Sequence, residues 1–167
     1  AIGDASGRKQ VAEILSDDRH PLVAEAAEAA GLAEGNELLL PLTRLAKSRN
    51  SRLALTSLVA LRRSMLGVRG APRGLAAAEQ MVEANVSQPA AEIPTESRAA
   101  VSEALASLMV DAYVAADVRN EAFAVAKLLG GPRYVEVLST VADQAELEGT
   151  QLRFNVEAEL RRRRRTP

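Results

Sequence analysis

Two segments of the chain, 96 positions apart, repeat the same order of small, apolar and turn-forming residues. When residues 24–35 are placed over residues 120–131, Glu25 meets Glu121 and Leu32 meets Leu128. The match continues without a gap through three apolar positions, Leu39, Leu42 and Leu45 over Val135, Leu138 and Val141. After three extra residues the offset becomes 99, and Leu53, Leu55 and Leu61 meet Leu152, Phe154 and Leu160. Because one amphipathic unit cannot bury its own apolar stripe, the repeat predicts units that stack side by side.

The repeated units are expected to be helical, because their apolar residues recur every three or four positions. Aromatic residues make up only 2% of the 167 residues, so the core must be filled by Ala, Leu and Val. Such a core favours closely approaching helices over a β-sandwich. No segment shows sustained alternation of apolar and polar residues, and we therefore expect no strands.

We predict one all-α domain over residues 1–167, a superhelix (α-solenoid) of stacked antiparallel helical hairpins with about eight or nine helices. The expected helices lie near residues 11–15, 22–33, 38–45, 51–65, 75–86, 95–109, 117–129, 134–142 and 152–163. Five residues of helix-capping type stand before these segments: Asp18, Asn36, Asn50, Thr95 and Asp117. The chain begins Ala1-Ile2-Gly3 without an initiator Met, which suggests a segment of a longer protein.

Cysteine is absent, which excludes disulfides and thiolate metal sites. The apolar runs are too short to span a membrane, so we expect no membrane insertion. The compartment stays open.

Residues 117–130 resemble the second helix of a HEAT-like repeat, with Asp117, the pair Val118-Arg119, small residues and a closing Leu129-Gly130. The run Leu39-Leu40-Pro41-Leu42 resembles the first helix of such a unit. The resemblance is clearest over residues 22–66 and 117–160, while residues 75–111 depart from it with a long, Pro-broken linker. It implies an α-solenoid of four or five hairpins that works as a binding module and not as an enzyme.

A basic tract is the feature most informative about partners. Between residues 38 and 78 the chain carries no acidic residue and eight basic ones: Arg44, Lys47, Arg49, Arg52, Arg62, Arg63, Arg69 and Arg73. Cations near helix ends have an ordinary cause, because they complement the helix dipole. The tract as a whole nevertheless predicts a local positive field, and these eight residues are the candidate partner-binding site.

Two kinds of partner fit such a surface. An acidic protein surface is the first, and the nucleic-acid backbone is the alternative, as in the HEAT-like DNA alkylation-repeat proteins. Convergence of Arg44, Arg52, Arg62, Arg63 and Arg69 on one concave face would favour nucleic acid, whereas the lack of interleaved aromatics disfavours it. HEAT-like repeats also resemble lyase subunits that handle bilin chromophores, but the scarcity of aromatics and the absence of cysteine argue against a chromophore site.

Nothing in the sequence has the spacing of a catalytic or metal centre, and we expect no cofactor, no metal and no catalytic residue. His20 is the single histidine and stands before Pro21, beside Asp17 and Asp18, where an exposed loop position is expected. The Gly- and Arg-rich residues 67–74 lack the Gly-Lys-Ser/Thr ending of a phosphate-binding P-loop and are interpreted as a turn. Three interpretations fit the run of arginines at 161–165: a dipole-complementing helix end, a disordered basic tail or an anion contact, and the first two are favoured.

Overall fold

The computed structural model describes residues 5–33, 36–66 and 93–165. Within these ranges the protein contains eight α-helices and no strand. The helices are α1 (Ala5–Leu15), α2 (Val23–Ala30), α3 (Leu39–Leu45), α4 (Ser51–Leu66), α5 (Thr95–Val110), α6 (Ala116–Leu129), α7 (Pro132–Asp143) and α8 (Gln151–Arg165). A short 3-10 turn, Ala145–Leu147, precedes α8.

The helices lie where apolar periodicity predicts them, which confirms the all-helical class for the described ranges. Pro41 lies in the first turn of α3, where its missing N–H costs no helical hydrogen bond. Gly130 and Gly131 separate α6 from α7 with φ values of 63° and 88°, a region that side chains other than glycine rarely adopt. The helix expected near 75–86 and the turn expected at 67–74 lie outside the described residues.

One predicted N-cap is confirmed. The Oδ1 atom of Asn50 accepts hydrogen bonds from the backbone N–H groups of Arg52 (3.1 Å) and Leu53 (3.3 Å) at the start of α4. Such a bond satisfies N–H groups that have no partner within the helix, and it fixes where α4 begins.

The other four predicted N-caps are wrong. Helix α2 begins at Val23, too far along the chain for Asp18 to reach, and α3 begins after Leu38 instead of after Asn36. Thr95 and Asp117 lie inside the first turns of α5 and α6, whose cap residues make no side-chain cap hydrogen bond. The carboxylate of Asp117 instead accepts from the N–H of the next residue at 2.8 Å. Capping is worth only about 1 kcal/mol, so a suitable residue type does not by itself fix where a helix begins.

Helices that follow one another along the chain pack in four pairs, α1 with α2, α3 with α4, α5 with α6, and α7 with α8. The first helices of successive pairs also contact each other, in the order α1, α3, α5, α7. The second helices do the same in the order α2, α4, α6, α8. Each internal pair is therefore covered by a neighbouring pair on either side.

The core runs between these helices and is filled by Leu, Ala, Val and Met. Leu42 in α3 and Leu138 in α7, which the 96-residue offset places at equivalent positions, are both fully buried in it. Both of these offset-related positions thus belong to the core.

Several helix ends are closed by side chains from other helices. The Nε2 atom of Gln144, after α7, donates to the carbonyl of Val110 at the end of α5 (2.9 Å). The Nη1 atom of Arg98 in α5 donates to the carbonyl of Leu129 at the end of α6 (2.8 Å). The last carbonyls of a helix have no hydrogen-bond partner within it. These bonds therefore satisfy carbonyl groups that helix packing would otherwise leave without a partner.

Candidate functional site

The predicted basic residues fall into groups with different surroundings. Arg44 ends α3, Lys47 and Arg49 lie in the turn between α3 and α4, and Arg52 is in the first turn of α4. Two more, Arg62 and Arg63, lie near the end of α4. The remaining two, Arg69 and Arg73, lie outside the described residues.

Arg44 closes a helix end. Its Nη2 atom donates a hydrogen bond of 2.7 Å to the carbonyl of Leu15, the last residue of α1. The guanidinium thus complements the negative end of the α1 dipole and joins the first helix pair to the second.

Arg62 joins α4 to α6. Its Nε atom lies 2.9 Å from Oε1 of Glu121, and the two side chains are only 12% and 13% exposed. An ion pair this sheltered is screened less by salt than a surface pair, and it compensates the charge of Arg62 within the protein. Arg62 is therefore a packing residue in this structure.

Arg44 lies on α3, which is the first helix of its pair, whereas Arg62 lies on α4, which is the second helix. Arg52 and Arg63 are eleven positions apart and hence lie on one face of α4 by helical spacing. The described arginines of the basic tract lie on α3, on α4 and in the turn between them.

Lys47 and Arg49 line a cleft of about 410 Å³ between two turns, the turn from α3 to α4 and the turn from α5 to α6. Both side chains are exposed, and neither has an ion-pair partner within the ranges that the structure describes. Asp111 lies on the opposite side of the cleft. Two cations facing one carboxylate leave this cleft with an excess of positive charge.

Tyr113 stands at the same cleft and is fully exposed, with a relative accessibility of 101%. The turn that carries it is held by Asp111, whose Oδ1 atom accepts from the N–H of Tyr113 at 2.9 Å. A solvent-exposed aromatic ring can contact a partner favourably. It buries a large apolar area and loses little side-chain conformational entropy on binding.

Polar and apolar residues contribute about equally to the lining of the cleft. Its small and branched residues come from both helix pairs and are buried: Ala46, Ala54, Leu108 and Val118. Buried apolar residues beside exposed charged and aromatic side chains are a composition that recognition sites use. The structure thus brings Lys47 and Arg49 together with a neighbour, Tyr113, that our sequence reasoning missed.

A second charged cluster surrounds Glu159 in α8, which is 4% exposed. Its Oε1 atom accepts hydrogen bonds of 2.9 Å from both Arg162 and Arg163, and Nζ of Lys127 lies 3.7 Å from Oε2. Burial raises the pKa of this carboxyl, but Arg162, Lys127 and Arg163 outweigh burial, so its pKa lies below the ordinary value for glutamate.

The arginine run is helical as far as Arg165, and part of it has a structural role. The guanidinium carbon of Arg163 lies 5.1 Å from the ring centroid of Tyr134, within cation–π range. Burial also raises the pKa of the Tyr134 phenol. Residues 161–165 thus form the end of a helix, as one interpretation predicted, and not a disordered tail.

His20 has a local structural role, since its Nδ1 atom accepts from the N–H of Leu22 at 3.1 Å. Within the described residues no group of three or more His, Cys, Asp or Glu side chains is placed to hold a metal ion. No helix in that part of the chain has both the length and the apolar character needed to cross a bilayer.

Comparison with known proteins gives no relative: no family model, curated protein or solved structure matches this chain.

Proposed function

We propose that the protein is a non-catalytic protein–protein interaction module, built as an α-solenoid of HEAT-like helical hairpins. The support for the architecture is the packing order, in which the first helices of successive pairs contact one another and the second helices do likewise. Two parallel rows of this kind are the defining contact pattern of a solenoid. The equal burial of Leu42 and Leu138 supports the repeat that the sequence suggests.

The single observation that favours protein recognition is the cleft between the two turns. It combines an exposed aromatic ring, Tyr113, and the exposed cations Lys47 and Arg49 with several buried apolar residues. Interfaces between proteins are enriched in tyrosine and arginine, and exposed anchors of this type contribute most of their binding energy. The excess positive charge favours a partner segment that carries carboxylates.

Nucleic acid is the weaker candidate. Arg44 is bonded to the carbonyl of Leu15, and Arg62 is paired with Glu121, so two of the expected phosphate contacts have structural partners. The backbone of a duplex requires several cations along one surface, and a single cleft with two of them supplies a short footprint.

The test uses the whole chain as immobilised bait, in three forms. The wild type, the cleft variant Lys47→Glu/Arg49→Glu and the control Lys9→Glu/Arg19→Glu are compared. Both double variants make the same change in net charge, and Lys9 and Arg19 are exposed residues outside the cleft. Proteins retained by the wild type and the control but lost by the cleft variant are then purified and titrated directly.

We expect the cleft variant to bind the purified partner at least about tenfold more weakly, and Tyr113→Ala to weaken binding by a similar factor. The affinity of the wild type should fall as salt rises. Equal retention by all three forms would refute the cleft as the contact region. Binding of the wild type to duplex DNA with a steep salt dependence would favour the alternative instead.

A further inference from the structure

The contact between α4 and α6 shows how two successive helix pairs pack against each other within the molecule. Arg62 of α4 and Glu121 of α6 form its ion pair. On the same face of α4 as Arg62, at helical spacing, lie the partly buried Leu55 and Val59. On the same face of α6 as Glu121 lie three buried or partly buried apolar residues, Val118, Val125 and Leu128.

The repeat gives each side of this contact an equivalent in the first or the last of the described helix pairs. At the offset of 96, the face of α6 corresponds to a stripe at α2 made of Leu22, Glu25, Ala29 and Leu32, which we call the α2 stripe. Val118 in α6 is 1% exposed, whereas its equivalent Leu22 is 52% exposed. Leu32 is 46% exposed, and Glu25 is exposed without an ion-pair partner in the described part of the chain.

At the offset of 99, the face of α4 corresponds to a stripe on α8 made of Phe154, Ala158 and Arg161, which we call the α8 stripe. Phe154 is 63% exposed. The side chain of Arg161 is 57% exposed, and its contact with Glu157 one turn earlier, at 3.7 Å, is a surface pair of little energy. Of the six large hydrophobic residues that are exposed in the described part of the chain, three therefore lie on the two stripes: Leu22, Leu32 and Phe154.

We propose that a second copy of this chain stacks on the first head to tail, with the α8 stripe of one copy against the α2 stripe of the next. The contact would repeat the geometry of α4 and α6, with Arg161 and Glu25 in the places of Arg62 and Glu121. This proposal rests on the solenoid arrangement proposed above. The two stripes are complementary in charge as well as in apolar character, which argues for a second copy over an unrelated partner.

A contact between unlike faces leaves one free stripe at each end, so further copies can add. The molar mass of the purified chain, followed by analytical ultracentrifugation, should therefore rise with concentration beyond that of a dimer. Leu22→Glu and Phe154→Glu each change an exposed side chain, so both variants should keep the helical circular dichroism of the wild type. Each should be monomeric on its own.

Mixing the two variants gives the decisive result. Leu22→Glu keeps an intact α8 stripe and Phe154→Glu keeps an intact α2 stripe, so together they should form a one-to-one dimer that grows no further. The charge swap Arg161→Glu should weaken assembly at least tenfold, and adding Glu25→Arg in the same chain should restore it. Leu40→Glu, at an α3 residue that is 47% exposed and outside both stripes, is the matched control and should assemble like the wild type.

A wild type that stays monomeric at every concentration would overturn the proposal. So would self-association that survives either glutamate variant, since that result would require a different face. The cleft variant Lys47→Glu/Arg49→Glu should assemble normally, because its changes lie outside both stripes. Loss of stacking with intact partner binding, or the reverse, therefore separates this proposal from the proposed function.

Discussion

In both halves of the molecule the second helices of two successive pairs contact each other, but the residues that make the contact differ in kind. In the N-terminal half, α2 meets α4 through Gly31 and Ala60, and a Cβ atom at Gly31 would lie 2.8 Å from the Cα atom of Ala60. In the C-terminal half, the equivalent positions on α6 and α8 are Lys127 and Glu159, whose charged groups lie 3.7 Å apart. The contact between α2 and α4 is also the more extensive of the two.

Positions related by the offsets of 96 and 99 thus make helix contacts in both halves, but with different kinds of residue. Small residues let two backbones approach closely, so the contact between α2 and α4 depends on shape. Long charged residues at the same positions make a contact that depends on electrostatics, and they draw Arg162 and Arg163 into it. The two halves should therefore respond to different perturbations.

The largest effect is expected from Gly31→Val. Gly31 has an α-helical conformation with φ of −67°, which valine can adopt, but a Cβ atom at this position would clash with Ala60. Because the neighbouring atom belongs to the backbone of α4, it cannot move aside, and we expect a loss of about 3 kcal/mol in unfolding free energy. Urea unfolding followed by circular dichroism measures the loss.

The matched control places the same residue on the exposed side of the same helix, as Glu28→Val. This change should cost only the lower helix propensity of valine, about 0.5 kcal/mol. If Gly31→Val cost no more than Glu28→Val, the close approach of α2 and α4 would be refuted.

The next largest effect is expected from Glu159→Gln, which removes the carboxylate at the centre of the C-terminal contact. Two charge-assisted hydrogen bonds are weakened, and we expect a loss of about 2 kcal/mol at neutral pH. Glu136→Gln is the control, because Glu136 pairs with Arg133 at the surface with its side chain 64% exposed. That change should cost less than about 0.5 kcal/mol.

The pH dependence of the Glu159→Gln effect identifies its origin. The pKa of Glu159 is lowered in the folded protein, so its stabilisation is fully present above the ordinary pKa of glutamate. The stabilisation is lost as the pH falls through the lowered folded pKa. The difference between wild type and variant should therefore shrink in acid, and a difference that stayed constant down to about pH 3 would indicate a steric effect instead.

Much of the fold could be predicted from the sequence, because helices are specified by the local spacing of apolar residues. The helix starts were harder to predict. Asp18 and Thr95 are residue types that often cap helices, yet neither is the N-cap of its helix. The candidate site was predicted only in part. Lys47 and Arg49 were identified by their charge, whereas the role of Arg62 depends on Glu121, which is distant in sequence and is brought close only by the packing of α4 on α6.

Tyr113 was missed because one aromatic residue in a loop carries no periodic signal. Its exposure results from the turn between α5 and α6, which the hydrogen bond from its own N–H to Asp111 holds in place. A search for aromatic residues that fall between predicted helices, instead of on their apolar faces, would have identified it.

The smallest effect is expected at Tyr134, whose equivalent in the N-terminal half is Leu38. Both residues are buried, yet the Tyr134 hydroxyl has no hydrogen-bond partner within the described ranges. Removing it in Tyr134→Phe should therefore be neutral or stabilising by up to about 1 kcal/mol, because a buried unpaired hydroxyl is unfavourable. Thermal and urea unfolding of the purified variant measure this change.

Tyr134→Leu introduces into the C-terminal half the residue type that Leu38 provides at the equivalent position of the N-terminal half. It removes the ring that packs 6.3 Å from the ring of Phe123 and lies beneath Arg163. We expect it to be less stable than Tyr134→Phe by about 1 kcal/mol, since ring and cation contacts are lost together. If leucine were as stable as phenylalanine, the aromatic ring would contribute nothing specific to the charged contact, and Glu159 with its three cations would alone distinguish the two halves.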